Sequence, residues 1–133
     1  MLYSANITVP ANTDITTATL TKIFASPGVI HQVDFLFPVA SNREVYAKLF
    51  VGNYQLIPSN LHEAIRANNT VVSTREFYTM QPGDSILTIM SWNVHAADDM
   101  LLSVNIGVLP KKVLMPFDFD ELLTAALAKD IEQ

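Results

Sequence analysis

A histidine and an aspartate three residues apart are the smallest acid–base pair a chain can offer. His31 and Asp34 stand that way in the apolar run GVIHQVDFLFP, Gly28 to Pro38. In a working dyad the carboxylate orients the imidazole and stabilises its protonated form, so both must lie on one side of the chain. The run reads as a strand, whose side chains alternate between two faces. Val29, His31, Val33, Phe35 and Phe37 then share the core face, and Ile30, Gln32, Asp34 and Leu36 the other. On this reading His31 begins a buried row and Asp34 points away from it. No dyad is expected, and His31 reads as a hydrogen-bonded strand-end histidine.

Other chemistry-bearing residues are equally dispersed. His95, Asp98 and Asp99 in NVHAADD place two carboxylates near an imidazole, a set that suits a hard cation. The segment lacks the alternating oxygen ligands and glycine of an EF-hand, and the His-x-His of a metal cupin, so a solvated loop is expected. His62 and Glu63, next to Arg66, read as an exposed polar loop face. The three histidines do not have the spacing of a three-histidine zinc site, and the absence of cysteine excludes disulfides, thiolate nucleophiles and sulfur-ligated metals. No serine sits in G-x-S-x-G, and the four glycines are too scattered for a phosphate loop. No catalytic, cofactor-binding or metal-binding residue is assigned, no cofactor is expected, and the chain does not read as an enzyme. Tyr46, Phe50, Tyr54, Phe77, Tyr78 and Trp92 could line a sugar-binding face, but alternation places most of them as core or cross-strand pairs. Trp92 is expected on an inner face with Ile86, Thr88 and Met90, which share its parity.

The elements that must position these residues are short β-type runs: Leu2 to Val9, Ala18 to Phe24, Val29 to Phe37, Glu44 to Val51, Tyr54 to Ile57, Val71 to Tyr78, Ser85 to Trp92 and Met100 to Leu109. Turn residues separate them, Gly52-Asn53 being a two-residue hairpin signal. Pro58 to Thr70 is the longest break, a loop or one helical turn. No helix-period segment interrupts the runs before residue 117. This spacing predicts a mainly β domain over residues 1–110, an antiparallel eight-stranded sandwich of jelly-roll type.

The C-terminus has a different period. Asp118 followed by Glu121 is a capping-box variant, with Phe117 and Leu122 as its hydrophobic staple. Phe119, Leu122, Leu123, Ala126, Leu127 and Ile131 recur at helical spacing. An amphipathic helix is expected over 118–133, joined by an extended linker over 111–117 bounded by Pro110 and Pro116. Its apolar stripe needs cover, on its own sandwich or on a neighbouring subunit. Phe117, Phe119, Leu122, Leu123, Leu127 and Ile131 are the expected interface side chains.

Composition narrows the partners. Half of the 133 residues are apolar and only 16% are charged, with a net charge of −5. No basic run is present to meet a row of phosphates, so nucleic acid is not an expected partner. No apolar run reaches the roughly 18 residues of a membrane span, and no membrane association is expected.

The pieces TVPANT (Thr8 to Thr13), GVIHQVDFLFP (Gly28 to Pro38), YQLIPSN (Tyr54 to Asn60), MSWN (Met90 to Asn93) and IGVLPKKVL (Ile106 to Leu114) resemble small β-sandwich virion structural proteins of tailed bacteriophages and prophages. The resemblance covers roughly Ile7 to Leu114. The chain departs from that pattern at Pro38-Val39-Ala40, where a proline-glycine pair is expected, and at HAADD, where a more uniformly acidic loop is expected. The resemblance implies a virion structural role, most of all a capsid decoration or cement protein. It would assemble in the host cytoplasm as a homo-oligomer in contact with other virion proteins, the major capsid protein among them. A carbohydrate- or receptor-binding module of the tail is the alternative.

Overall fold

A computed structural model describes residues 1–110. The linker expected over 111–117, the helix expected over 118–133 and the interface side chains Phe117, Phe119, Leu122, Leu123, Leu127 and Ile131 lie outside the described residues.

Eight strands follow in order: β1 Leu2–Val9, β2 Thr19–Phe24, β3 Val29–Phe37, β4 Val45–Val51, β5 Tyr54–Ile57, β6 Thr70–Thr79, β7 Ile86–Asn93 and β8 Met100–Leu109. All pairings are antiparallel, and they form two four-stranded sheets in the orders β1-β8-β3-β6 and β2-β7-β4-β5. Sequential strands β1 and β2 belong to opposite sheets and face each other across the sandwich. The protein is therefore a mainly β sandwich, as the spacing of turn signals predicts. Gly52 and Asn53 form the expected two-residue turn, since Val51 pairs with Tyr54 around them. Pro58 to Asn69 is a loop rather than a helical turn, held at the sheet edge by paired backbone hydrogen bonds between Ala47 and Ile65.

The core is built by period-2 rows. Ile7 and Val9 of β1, Val33, Phe35 and Phe37 of β3, Val45, Ala47, Leu49 and Val51 of β4, Leu87 and Ile89 of β7, and Leu102, Val104 and Ile106 of β8 are all buried. Most are β-branched or leucine, shapes that fill a pleated half-buried surface at near-crystalline density. Among the described residues the only helical element is a 3-10 turn, Ile15–Thr17, capped by Asp14.

Two expectations about faces fail. On β7 the inward row is Leu87, Ile89, Ser91 and Asn93, whereas Trp92 shares the outer face with Ile86, Thr88 and Met90. Trp92 is still only 7% exposed, because it stacks on its cross-strand partner Tyr46 at 5.2 Å and 5°. The second failure, at His31, concerns the site.

Candidate functional site

Strand direction divides the connections between two ends of the sandwich. At one end the links are short: residues 25–28, the Gly52-Asn53 turn and residues 80–85, together with the end of β8. At the other end lie four loops, residues 10–18, 38–44, 58–69 and 94–99, the first three of them the longest connections of the fold. Loops carry backbone polar groups that the sheets do not pair, so each must find partners elsewhere.

Here the loops pair with one another. The Asn12 N–H donates to the His95 carbonyl and the Thr13 N–H to the Asn93 carbonyl, each at 2.7 Å. The Ala11 N–H donates to Asp99 Oδ1 at 2.8 Å. The fully buried Asn93 is the central post: its Nδ2 donates to the Asp98 carbonyl at 2.9 Å, and its Oδ1 accepts the His95 N–H at 3.0 Å. The Val94 N–H reaches the Glu44 carbonyl, the buried Ser41 hydroxyl donates to the Ala67 carbonyl, and Asn69 N–H donates to the Pro38 carbonyl. Asp14 caps the 3-10 turn, and the Thr16 hydroxyl and N–H, with further bonds from Thr17, hold its carboxyl below the usual range.

Two features mark this end as more than connection. The non-glycine residues with left-handed backbone, Asn12, Ala40, Asn42, Arg43, His62 and Asn69, all lie in these four loops. Such conformations cost free energy and persist where the surroundings impose them, commonly at functional surfaces. In addition, every one of the four loops holds a large apolar side chain in solvent: Ile15, Val39, Leu61 and Val94. Leu101 and Val71, at the neighbouring ends of β8 and β6, extend this surface onto the outer face of the first sheet.

The structure accounts for the residues singled out by type. His95 belongs to the loop end, where its Nδ1 accepts the N–H groups of Ala97 and Asp98 at 3.2 and 3.0 Å. Its Nε2 lies 3.9 Å from Asp98 Oδ2, and Asp99 is turned to Ala11, so the three side chains fasten the loops rather than converge on a point. Among the described residues no group of three or more His, Cys, Asp and Glu is placed to hold a metal ion. His62 and Glu63 are exposed, while Arg66 leaves them to donate to the Tyr46 hydroxyl and lie over its ring, 5.1 Å from the centroid. Tyr54 stacks on Tyr78 at 5.4 Å, and Phe77 is exposed on the outer side of β6. Of the expected cross-strand aromatic pairs, Tyr46–Trp92 is one, whereas Tyr54 and Tyr78 stack between edge strands of the two different sheets.

His31 corrects the simple alternation. The register of β3 shifts between Ile30 and Gln32: against β8 His31 is an extra residue in a β-bulge, while against β6 the extra residue lies on β6, at Glu76–Phe77. Ile30 stays buried, while His31 is turned outward over Gly107, where even a Cβ would lie 2.6 Å from its Nε2. His31 and Asp34 therefore line one outer cleft of about 320 Å³, with Gln32, Asn105, Gly107, Met1 and Leu2. Asp34 takes the Gln32 amide at 3.3 Å; it does not bond His31. The cleft holds donors and acceptors of hydroxyl-binding type, and its lining side chains include no hydroxyl, thiol or amine.

Comparison with protein-family models, with curated proteins and with solved structures finds no match to this chain.

Proposed function

We propose that the protein is a bacteriophage virion structural protein, a capsid decoration or cement subunit that acts through protein–protein contacts as a symmetric homo-oligomer. The observation that carries this is the loop end, where Ile15, Val39, Leu61 and Val94 stand exposed on loops locked together by mutual hydrogen bonds. Exposed apolar groups on a hydrogen-bonded base bind with little ordering cost, and this end presents one from each of its four loops. The strand orders β1-β8-β3-β6 and β2-β7-β4-β5 agree with a jelly roll, an architecture common to capsid and lectin domains, so the surface and not the fold must decide between them.

The test is attachment to particles. Val39→Asp and Val94→Asp change side chains already in solvent, so the melting temperature should stay within ~2 °C while co-sedimentation with virions falls at least about tenfold. Unchanged attachment of both variants would reject the loop end as the contact. The cleft at His31, Gln32, Asp34 and Asn105 favours a second reading, a carbohydrate- or receptor-binding module of the tail. On that reading a glycan array gives saturable binding that Asp34→Ala and Asn105→Ala abolish.

A further inference from the structure

The loop over residues 58–69 covers part of the outer face of the sheet β2-β7-β4-β5, where Arg66 lies over Tyr46 and Lys48 and Trp92 are buried, but toward β2 that face is apolar and exposed. Leu20 and Phe24 of β2 and Ile86 of β7 are exposed, Phe24 by 76%, and Met90 and Phe50 are half-buried beside them. The four strands of this sheet carry only two formal charges: Lys48, which is buried and donates to Gln55 Oε1, and the exposed Lys22. A sheet normally keeps a solvated face polar.

We infer that this face is the docking site of the chain's own C-terminal segment, residues 117–131. The chain leaves the described domain at Pro110, after Leu109 of β8, and Leu109 pairs with Val29. Only residues 25–28 separate Val29 from Phe24, and Phe24 pairs with Ile86. The exit and the most exposed part of the apolar face therefore share one end of the sandwich. Crossing from one sheet to an element packed outside the other takes ~20 Å, from ~10 Å between sheets and ~10 Å to the axis of the packed element. The seven residues 111–117, bounded by prolines, reach ~22 Å in an extended polyproline conformation. Beyond them, the helix that the sequence predicts would span ~21 Å over 118–131, and β2 with its six residues is ~20 Å. The apolar stripe of Phe119, Leu122, Leu123 and Leu127 then has a matching surface in Leu20, Phe24 and Ile86. Charge agrees: residues 117–133 hold five acidic side chains against the single Lys129, and the exposed Lys22 stands between Leu20 and Phe24 on this face.

Hydrogen exchange on the full chain tests this. In the wild type the amides of 119–131 should exchange about tenfold or more slowly than those of a free peptide with the same sequence, with no change on dilution. Phe24→Asp and Leu20→Asp should each remove that protection while strands β3 and β8 stay protected; Val71→Asp, on the opposite sheet, should leave it. Free exchange of the segment in the wild type, or protection indifferent to Phe24→Asp and Leu20→Asp, overturns the inference. Protection that falls on dilution together with dissociation of an oligomer also overturns it, by assigning the face to a second copy's segment.

Discussion

Replacing Gly107 by alanine tests the bulge that reverses the sequence-based placement of His31. Gly107 lies in β8 between Leu2 and Gln32, and an added Cβ would sit 2.6 Å from His31 Nε2 and 3.1 Å from its Cε1. Its backbone is ordinary strand, so alanine meets no conformational penalty and the clash with the imidazole is the whole cost. Forcing the ring off its rotamer costs ~0.5–1.5 kcal/mol and overpacking a tight site ~1–3 kcal/mol. The opposing gain, from a less flexible unfolded chain, is ~0.4–1 kcal/mol. Repulsion wins, and Gly107→Ala should lose about 1 kcal/mol. In a His31→Ala background the obstacle is gone, and the same change should be neutral or stabilising by up to ~1 kcal/mol. Urea unfolding of the four proteins of this cycle, followed by the single tryptophan, measures the coupling, expected at ~1–2 kcal/mol. Equal effects of Gly107→Ala in both backgrounds would refute the outward placement of His31.

Phe35→Ala, at a fully buried side chain between the sheets, should cost ~3–5 kcal/mol in urea unfolding with an unchanged m-value. Gly52→Ala combines a φ of +58° with a Cβ 2.2 Å from Asp84 Oδ1, and should lower the midpoint of denaturation by more than Gly83→Ala, whose Cβ meets nothing within 4 Å. Arg66→Ala removes a cation from the Tyr46 ring; it should cost ~0.5–1 kcal/mol and shift the emission of Trp92, stacked beneath. The folded-state pKa of Asp14 is depressed, so its contribution is present above the ordinary value of 3.8 and is lost as pH falls through the folded value. Acid titration of the wild type should accordingly show loss of stability below that pH that an Asp14→Asn protein does not share.

Strand positions were legible because alternation and turn residues agree: Val29–Phe37, Tyr54–Ile57 and Met100–Leu109 are bounded as their sequence implies. The face of a side chain was less so. One inserted residue inverts parity, and the room for the outward His31 ring comes from Gly107, a strand away, where no local pattern in GVIHQVDFLFP registers it. On β7 both rows are partly apolar, and the inner one contains Ser91 and Asn93, so period 2 fixes which residues share a face but not which face is buried. The Asn93 side chain braces its own loop through the His95 N–H and the Asp98 carbonyl, while its backbone N–H donates to the distant Thr13 hydroxyl. The candidate site was half visible. NVHAADD reads as a loop and SNLHEAIRANN as a loop or one helical turn, and residues 94–99 and 58–69 are loops, but Ile15, Val39, Leu61 and Val94 carry no signal as single apolar residues among turn formers. The short capping pattern Asp14-Ile-Thr-Thr17 was available as a sign of the 3-10 turn. Ala40 and Arg43, with left-handed backbone at residue types that disfavour it, had no such sign.

The central claim is that the loop end meets another virion protein. Near-atomic imaging of intact particles tests it most directly. The account predicts this chain in symmetric copies on the capsid, with Ile15, Val39, Leu61 and Val94 buried against the protein beneath. Its absence from the particle, or its presence with those four side chains in solvent and the His31 cleft occupied instead, would contradict the account.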